Sequence, residues 1–563
     1  MNSDSAAPPV RRPGLFRRSP WFAVCLVLVL VKFWLVAAQP LFAIGNADHD
    51  DRLFLQLANK ILAGEWLGPY HQLTLAKGPM YPLWIAGTFL LGVPLPLAQH
   101  LLYLLACVLV VRALRPQLPS AAAAAAVFLV LWWNPMSYEM PALGRVIRQD
   151  LYTPAALGCF AALIALNTRR DAPSRWRLAW GFLLGLSGAA VWLTREESIW
   201  IVPPALLLVA AAAWNSWRAR ERLLPLALPL GAAVASATAI LVTICALNLH
   251  YYGWFGTVEF RSPAFIGAYS ALQRVKSSYT IPSVPVTREA REKAYGVSPA
   301  FAELRPFLEG NRGTDWAGVS RFLTHRPKED REIAGGWFMW ALRDSVADAG
   351  HAGSAGAALD FYARIADEVN RACDSGRLPA YPRRDSLMPH WQPEYTAGME
   401  AALPRAFHEL AMFQGFTAVA PPSRGDAAQL RLFRDLTRWF VSPAPDAPEL
   451  NLRRQPQFDA WRIAALDRAG RALGRVFGVA AYAAAAGWLW LLARACFFRK
   501  ISYRFVIATA LAGGVAAVVV INTLIDVTSF PSRGPLAFAE AYPLVILATA
   551  LVALDLWRTR RPA

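Results

Sequence analysis

Leu224–Leu249 reads LPLALPLGAAVASATAILVTICALNL, 26 residues without one Lys, Arg, Asp, Glu or His. At about 1.5 Å per residue the run outlasts the roughly 30 Å hydrocarbon core of a bilayer, and an uncharged stretch of that length predicts a transmembrane helix. It has company on both sides. Comparable runs at 21–43, 95–113, 120–137, 151–168, 178–193, 199–214, 475–497, 503–525 and 541–557 bring the expected total to ten spans. The composition agrees: 563 residues are 56% hydrophobic and 17% charged, with mean hydropathy +0.31, which is too apolar for a simple soluble enzyme.

Immediately before the quoted run stands Arg218–Arg222, and basic clusters flank other spans at Arg11–Arg18, Arg112–Arg115, Arg169–Arg177, Arg494–Lys500 and Arg558–Arg561. Placing every cluster on the cytoplasmic side satisfies the positive-inside rule with both termini inside. The net charge of +18, 57 Lys and Arg against 39 Asp and Glu, is therefore topological. No basic stripe with interleaved aromatics stands apart from these flanks, so nucleic acid is not an expected partner. Pro79–Gly92 is about half a bilayer in length and reads as a juxtamembrane or half-inserted element, because a full span there would break the alternation. The first run follows a basic segment and ends in Val36-Ala37-Ala38, as a signal peptide would, but its apolar length favours a retained helix.

Three parts follow: an N-terminal membrane block, 1–249, with outer loops 44–78 and 138–150; a hydrophilic, mostly helical section, 250–474, on the outside; and a C-terminal membrane block, 475–563. Helical spacing marks Ile333–Ala349 and Ala357–Ala372, with Pro-rich joints at Ile281–Pro285 and Pro443–Pro448. Trp337 and Trp340 share a face suited to core packing, the alternative being a sugar platform. Five cysteines fall in or beside spans and Cys373 is alone in the outer section, so no intradomain disulfide or structural zinc site is expected.

With this topology ionisable residues collect at the outer ends of the spans: Asp48, Asp50, Asp51, His71 and Lys77 in the first loop, Arg145, Arg148 and Asp150 in the second, Arg195, Glu196 and Glu197 at the next turn, and Asp526, Arg533 and Glu540 in the last. The acidic run opens a short amphipathic helix, with Phe54, Ala58, Ile61 and Gly64 at helical spacing, expected to lie on the membrane. Adjacent carboxylates repel, which raises one pKa towards a value suited to taking a hydroxyl proton; the alternative for Asp48 and Asp50 is a hard divalent cation. His71 suits substrate or metal contact or plain solvation, Arg533 a phosphate contact or a loop-positioning role, and Asp526 a helix end.

The run Asp50-Asp51-x-x-Phe54-x-x-x-Ala58 to Gly64, then Lys77-Gly78-Pro79-Met80-Tyr81-Pro82-Leu83, resembles the first outer loop of the GT-C glycosyltransferases, especially their protein mannosyltransferase and aminoarabinose transferase branch. Arg145-x-x-Arg148-Gln149-Asp150-Leu151 is similar to their second-loop Arg-Pro-Asp element and Leu193-Thr194-Arg195 to a Leu-Thr-Lys helix end, with a looser echo in Ser532-Arg533-Gly534 and Tyr542-Pro543. The match covers about the first 215 residues. Asp51 stands where the family has Glu, Gly78 replaces the first Pro after the lysine, and Arg195 replaces Lys.

The resemblance implies a GT-C-like fold and a sugar transfer from a polyprenyl-phosphate carrier to a glycan, lipid or protein acceptor on the outer side; the Ala/Arg/Pro-rich composition points to a bacterial inner membrane with the site facing the periplasm, the alternative being an endoplasmic-reticulum enzyme. Asp50 would then be the general base, Lys77 would bind the carrier phosphate, and Asp150 with Arg148 would complete the acidic site; Asp48, Asp51, His71, Arg145, Arg195, Glu196 and Arg533 would be substrate contacts. A base opposite a phosphate leaving group favours inversion. The competing functions are a transporter or flippase of a lipid-linked or anionic solute, for which Lys32 is the obvious intramembrane charge, and a non-catalytic scaffold.

Overall fold

The computed structural model describes residues 19–218, 220, 224–450, 456–498 and 501–559. The Arg11–Arg18 cluster and the ends of three others (Arg222, Arg499, Lys500, Arg560 and Arg561) lie outside them. Among the described residues the chain is helical, with isolated bridges in place of strands. In the N-terminal part α1 is Pro20–Val36, α2 Asp51–Leu62, α3 Met80–Leu90, α4 Leu95–Leu114, α5 Ala121–Trp132, α6 Gln149–Thr168, α7 Ser174–Thr194, α8 Val202–Arg218 and α9 Leu224–Tyr252. The outer section holds α10 Pro263–Arg274, α11 Arg288–Tyr295, α12 Pro299–Ala302, α13 Arg305–Leu308, α14 Asn311–Thr324, α15 Gly335–Asp348, α16 Ala355–Asp374, α17 Pro393–Ala411 and α18 Ala427–Thr437. The chain closes with α19 Pro456–Phe498, α20 Tyr503–Thr528 and α21 Ala541–Thr559.

Eight helical stretches among the described residues are long and apolar enough to cross a membrane, so the protein is an all-α polytopic membrane protein. They are α4, α6, α7, α8, α9, α19, α20 and α21, α4 and α8 counted with the short 3-10 turns at Arg115–Gln117 and Ser198–Ile201. The other two expected spans are shorter. α1 ends at Val36, four residues before Pro40, and α5 ends at Trp132 because Asn134, held extended ahead of Pro135, caps a separate turn through its side chain. α3 has 11 residues, about 16 Å, as its half-span length required. α6 is the centre of the bundle, buried along nearly its whole length between α4, α7 and α8, while α9 and α19 turn apolar side chains such as Val234, Val479 and Leu489 outwards, towards lipid.

The outer section packs as two parts. Residues 258–378 build their own core, with Phe265, Phe338, Phe361 and Ile365 fully buried, and Ala76 of the first loop joins it. Residues 393–450 pack on the membrane block instead: α17 lies against α19, α20 and α21, and α18 shares a core with α2 and α3 through Phe54, Tyr81, Leu430 and Phe433. The amphipathic helix α2 is therefore buried in protein on both apolar sides, with Leu53 and Leu57 facing a second cluster around Trp66 and Tyr252. α19 begins at Pro456, not 475, and runs unbroken from the outer section into the membrane.

Candidate functional site

Asp50 is the residue before the first turn of α2, yet its side chain makes no capping hydrogen bond. Its carboxylate is spent on the Lys77 ammonium, which arrives from the stretch leading into α3. Lys77 is buried, with its ammonium 5.0 Å from the Phe54 ring centroid and 5.6 Å from that of Trp340 on α15. Asp50 keeps 43% of its side chain exposed, so the pair is open on the carboxylate side. Partial enclosure raises the Asp50 carboxyl, but Lys77 and Arg148 outweigh it and hold the group below its ordinary value; burial lowers Lys77, and Asp50 works against that.

The neighbouring Asp51 points the opposite way. It is fully buried and takes two bonds from Arg145, Nε at 2.9 Å and Nη2 at 2.5 Å. Burial pushes its carboxyl up to about 6 despite that guanidinium. Arg148, at the start of α6, donates to Glu196 at 2.8 and 3.0 Å and to the Thr194 carbonyl at 2.9 Å. Arg195 is buried beside Glu197 at 3.2 Å and Glu540 at 3.9 Å. Both carboxyls are pushed upwards by burial, but Arg195 and Arg148 bring Glu197 down to about 2, whereas burial wins at Glu540, which stands at about 7.

The four outer loops thus contribute to neighbouring ion pairs, with the Arg148 charge acting on both Asp50 and Glu197. Asp150 does not join them as expected: Arg148 turns to Glu196, and Asp150, two residues on, lines a cavity with Glu139 and Arg145 and has no ion-pair partner among the described residues. Three other expected residues stand apart. Asp48 pairs at 2.7 Å with Arg52 on the surface, His71 is exposed and accepts from the Leu73 N–H, and Arg533 bonds Asp526 at 3.0 Å and faces Glu409 at 3.8 Å. Among the described residues no three His, Cys, Asp or Glu side chains gather as a metal site would need, and the two carboxylates offered for a cation, Asp48 and Asp50, bind separate cations of the protein.

Sequence reasoning passed over Glu139, whose carboxylate accepts from the Ala142 and Leu143 N–H groups and which burial raises to about 7. It also passed over the joint between the first loop and the outer section. Glu259 and Arg343, both buried, pair at 2.6 Å; Tyr70 donates to Glu259 at 2.8 Å and Arg343 Nε to the Gln72 carbonyl at 2.9 Å. Next to it His49 sits edge-on to Trp316 and Trp340, both at 5.1 Å, and 3.5 Å from Asp344. Trp340 packs on Phe260 at 4.8 Å, the core role expected of it, while also walling in Lys77. Glu259 and Arg343, the single arginine of α15, stand 84 residues apart and carried no spacing signal that could have paired them.

No family model matches the chain, and no curated protein matches it. Among solved structures it is similar to ArnT from Cupriavidus metallidurans in the apo state, at 15% identity and a TM-score of 0.34 over 95% of this chain and 77% of that one. It is likewise similar to ArnT from Cupriavidus metallidurans bound to undecaprenyl phosphate, at 17% identity and a TM-score of 0.31 over 95% of this chain and 76% of that one.

Proposed function

We propose that this protein is a GT-C-type glycosyltransferase of the bacterial inner membrane, which moves a sugar from a polyprenyl-phosphate carrier to an acceptor at the periplasmic face with inversion. The observation that carries the proposal is the Asp50–Lys77 pair, a carboxylate and an ammonium brought together from separate parts of the first outer loop and left open on one side. In the reaction the acceptor oxygen attacks the anomeric carbon, Asp50 takes the hydroxyl proton, and the bond from that carbon to the phosphate oxygen breaks with its electron pair passing to the phosphate. Lys77 stabilises that charge. The two residues neutralise each other before substrate arrives. A carrier phosphate that draws the ammonium away removes the group that holds Asp50 low, so the carboxylate becomes a better base once the donor is seated.

Lys32 offers little to the transporter alternative. Its ammonium donates to the Trp132 carbonyl at 2.5 Å and to Ser137 at 2.6 Å and lies over the Trp132 ring, so the intramembrane charge is committed to holding the turn after α5. The test of the proposal is Asp50→Asn: transfer from a polyprenyl-phosphate-linked sugar in native membranes should fall by about a thousandfold or more while the protein stays folded and membrane-embedded. Turnover at the wild-type rate would remove Asp50 from the chemistry.

A further inference from the structure

In the turn that leads into α2 the Ala47 carbonyl accepts from the Asp50 and Arg52 N–H groups at 3.1 and 3.2 Å, while the side chains of Asn46 and Asp48 are exposed. His49 is turned the other way, into the outer section. Its ring stands edge-on to Trp316 of α14 and to Trp340 of α15, with centroids 5.1 Å away in both cases and interplanar angles of 73° and 77°, an arrangement that aromatic rings prefer. Beyond the indoles its Nε2 lies 3.5 Å from the carboxylate of Asp344. Asp344 is buried; one of its oxygens accepts from the Trp316 indole N–H at 3.0 Å and the other has no hydrogen-bond partner among the described residues. Arg312 acts on the same charge from a distance but bonds Asp348 at 2.8 Å. A buried carboxylate so incompletely met draws in a ring N–H.

Helix α15 therefore reaches both halves of the Asp50–Lys77 pair. Trp340 and Asp344, four residues apart on one face of the helix, hold the residue next to Asp50, and the same Trp340 ring lies 5.6 Å from the Lys77 ammonium. Arg343, beside Asp344, donates to the Gln72 carbonyl at 2.9 Å, five residues ahead of Lys77, which fixes the helix to that side of the loop. Consecutive Cα atoms are about 3.8 Å apart across a trans peptide, so a fixed His49 leaves Asp50 little room to wander. We infer that His49 is a positioning residue: seated between Trp316 and Trp340 and against Asp344, it holds the Asp50 carboxylate at the Lys77 ammonium. The inference rests on the proposed role of that pair and deepens it, because the outer section then completes the site.

The test reads geometry and turnover separately, in the full-length protein in its native membranes. His49→Ala removes the ring and its N–H and leaves Asp50 and Lys77 in place. With Asp50 free to swing away, the Lys77 amine loses the charge that works to keep it protonated, so its acylation by acetic anhydride, followed by mass spectrometry, should quicken by about fivefold or more. Lys276, which packs on Tyr381, should react at an unchanged rate. The kcat for transfer from a polyprenyl-phosphate-linked sugar should fall by roughly thirtyfold with the donor KM within about twofold of wild type, since His49 places the base and touches no substrate. His49→Gln, which returns an N–H donor near the place of Nε2, should recover much of both losses, and Asp344→Asn, with the ring still in its slot, should shift both readouts in the direction of His49→Ala. Lys77 acylation at the wild-type rate in His49→Ala, a raised KM at constant kcat, or a His49→Gln form as impaired as His49→Ala overturns the inference. The two proposals fail separately. Faster Lys77 acylation in His49→Ala beside an Asp50→Asn form that still transfers sugar defeats the proposed chemistry alone, and an inactive Asp50→Asn form beside a His49→Ala form that matches wild type in both readouts defeats the positioning role alone.

Discussion

A methyl group added at Gly78 would overlap the carbonyl oxygen of Leu193 at the end of α7, with the carbonyl carbon next behind it. Backbone cannot step aside as a side chain can, so Gly78 is present for close approach, and the departure from a Lys-Pro pattern fastens the lysine's neighbourhood to α7. Gly78→Ala should destabilise the protein by about 2 kcal/mol and, by displacing Lys77, cut transfer by roughly tenfold or more; a thermal midpoint and a turnover equal to wild type would contradict the contact. Residue types at this face were legible in the sequence because loop polarity and sidedness follow from the arginine flanks. Pairings were not. Arg148 and Asp150 stand two residues apart at a helix start, where side chains at that spacing are turned about 200° from one another, and which of them meets a given carboxylate is settled by the packing of α6 against α7.

Helix identity was more legible than helix length. The apolar runs located every span-sized helix, since 20 uncharged residues leave a chain few alternatives in lipid, yet the last turns of α1 and α5 were lost to local turn chemistry at Ala37–Pro40 and Asn134–Pro135. The divided loyalty of the outer section, one part self-contained and one part laid on the membrane block, was invisible because both parts have amphipathic helices of the same pattern. The joint between the first loop and α15 makes a prediction at this scale. Arg343→Ala leaves the Glu259 carboxyl buried without its guanidinium partner and should cost about 3–5 kcal/mol, whereas Arg343→Met with Glu259→Leu should recover most of that loss. Hydrogen exchange would show the single variant loosening residues 70–76 and 258–374 first; equal protection in the single variant and wild type would count against the joint.

For the molecule as a whole, the outer face carries two opposed sets of carboxyls. Asp51, Glu139 and Glu540 are raised by burial, so the folded state holds more protons than the unfolded one between the ordinary carboxylate range and about 7, and stability declines as pH rises through that window. Asp50 and Glu197 are lowered, so their contribution is present above the ordinary range and disappears as pH falls towards their folded values. Thermal midpoints measured from pH 3 to 8 should therefore peak in mildly acidic solution, and Glu540→Gln should flatten the neutral side of the peak; a midpoint that climbs steadily from pH 5 to 8 would refute the assignment. A last consequence concerns α19, 43 residues or about 65 Å of continuous helix, whose Asp467 grips Thr417 and the Ala418 N–H at 2.9 Å each. Such a rod is a lever with its fulcrum in the lipid. Thinning the host membrane enough to lean it by about 10° would carry its free arm sideways by roughly 5 Å, which ties the posture of the hydrophilic section to the thickness of the bilayer.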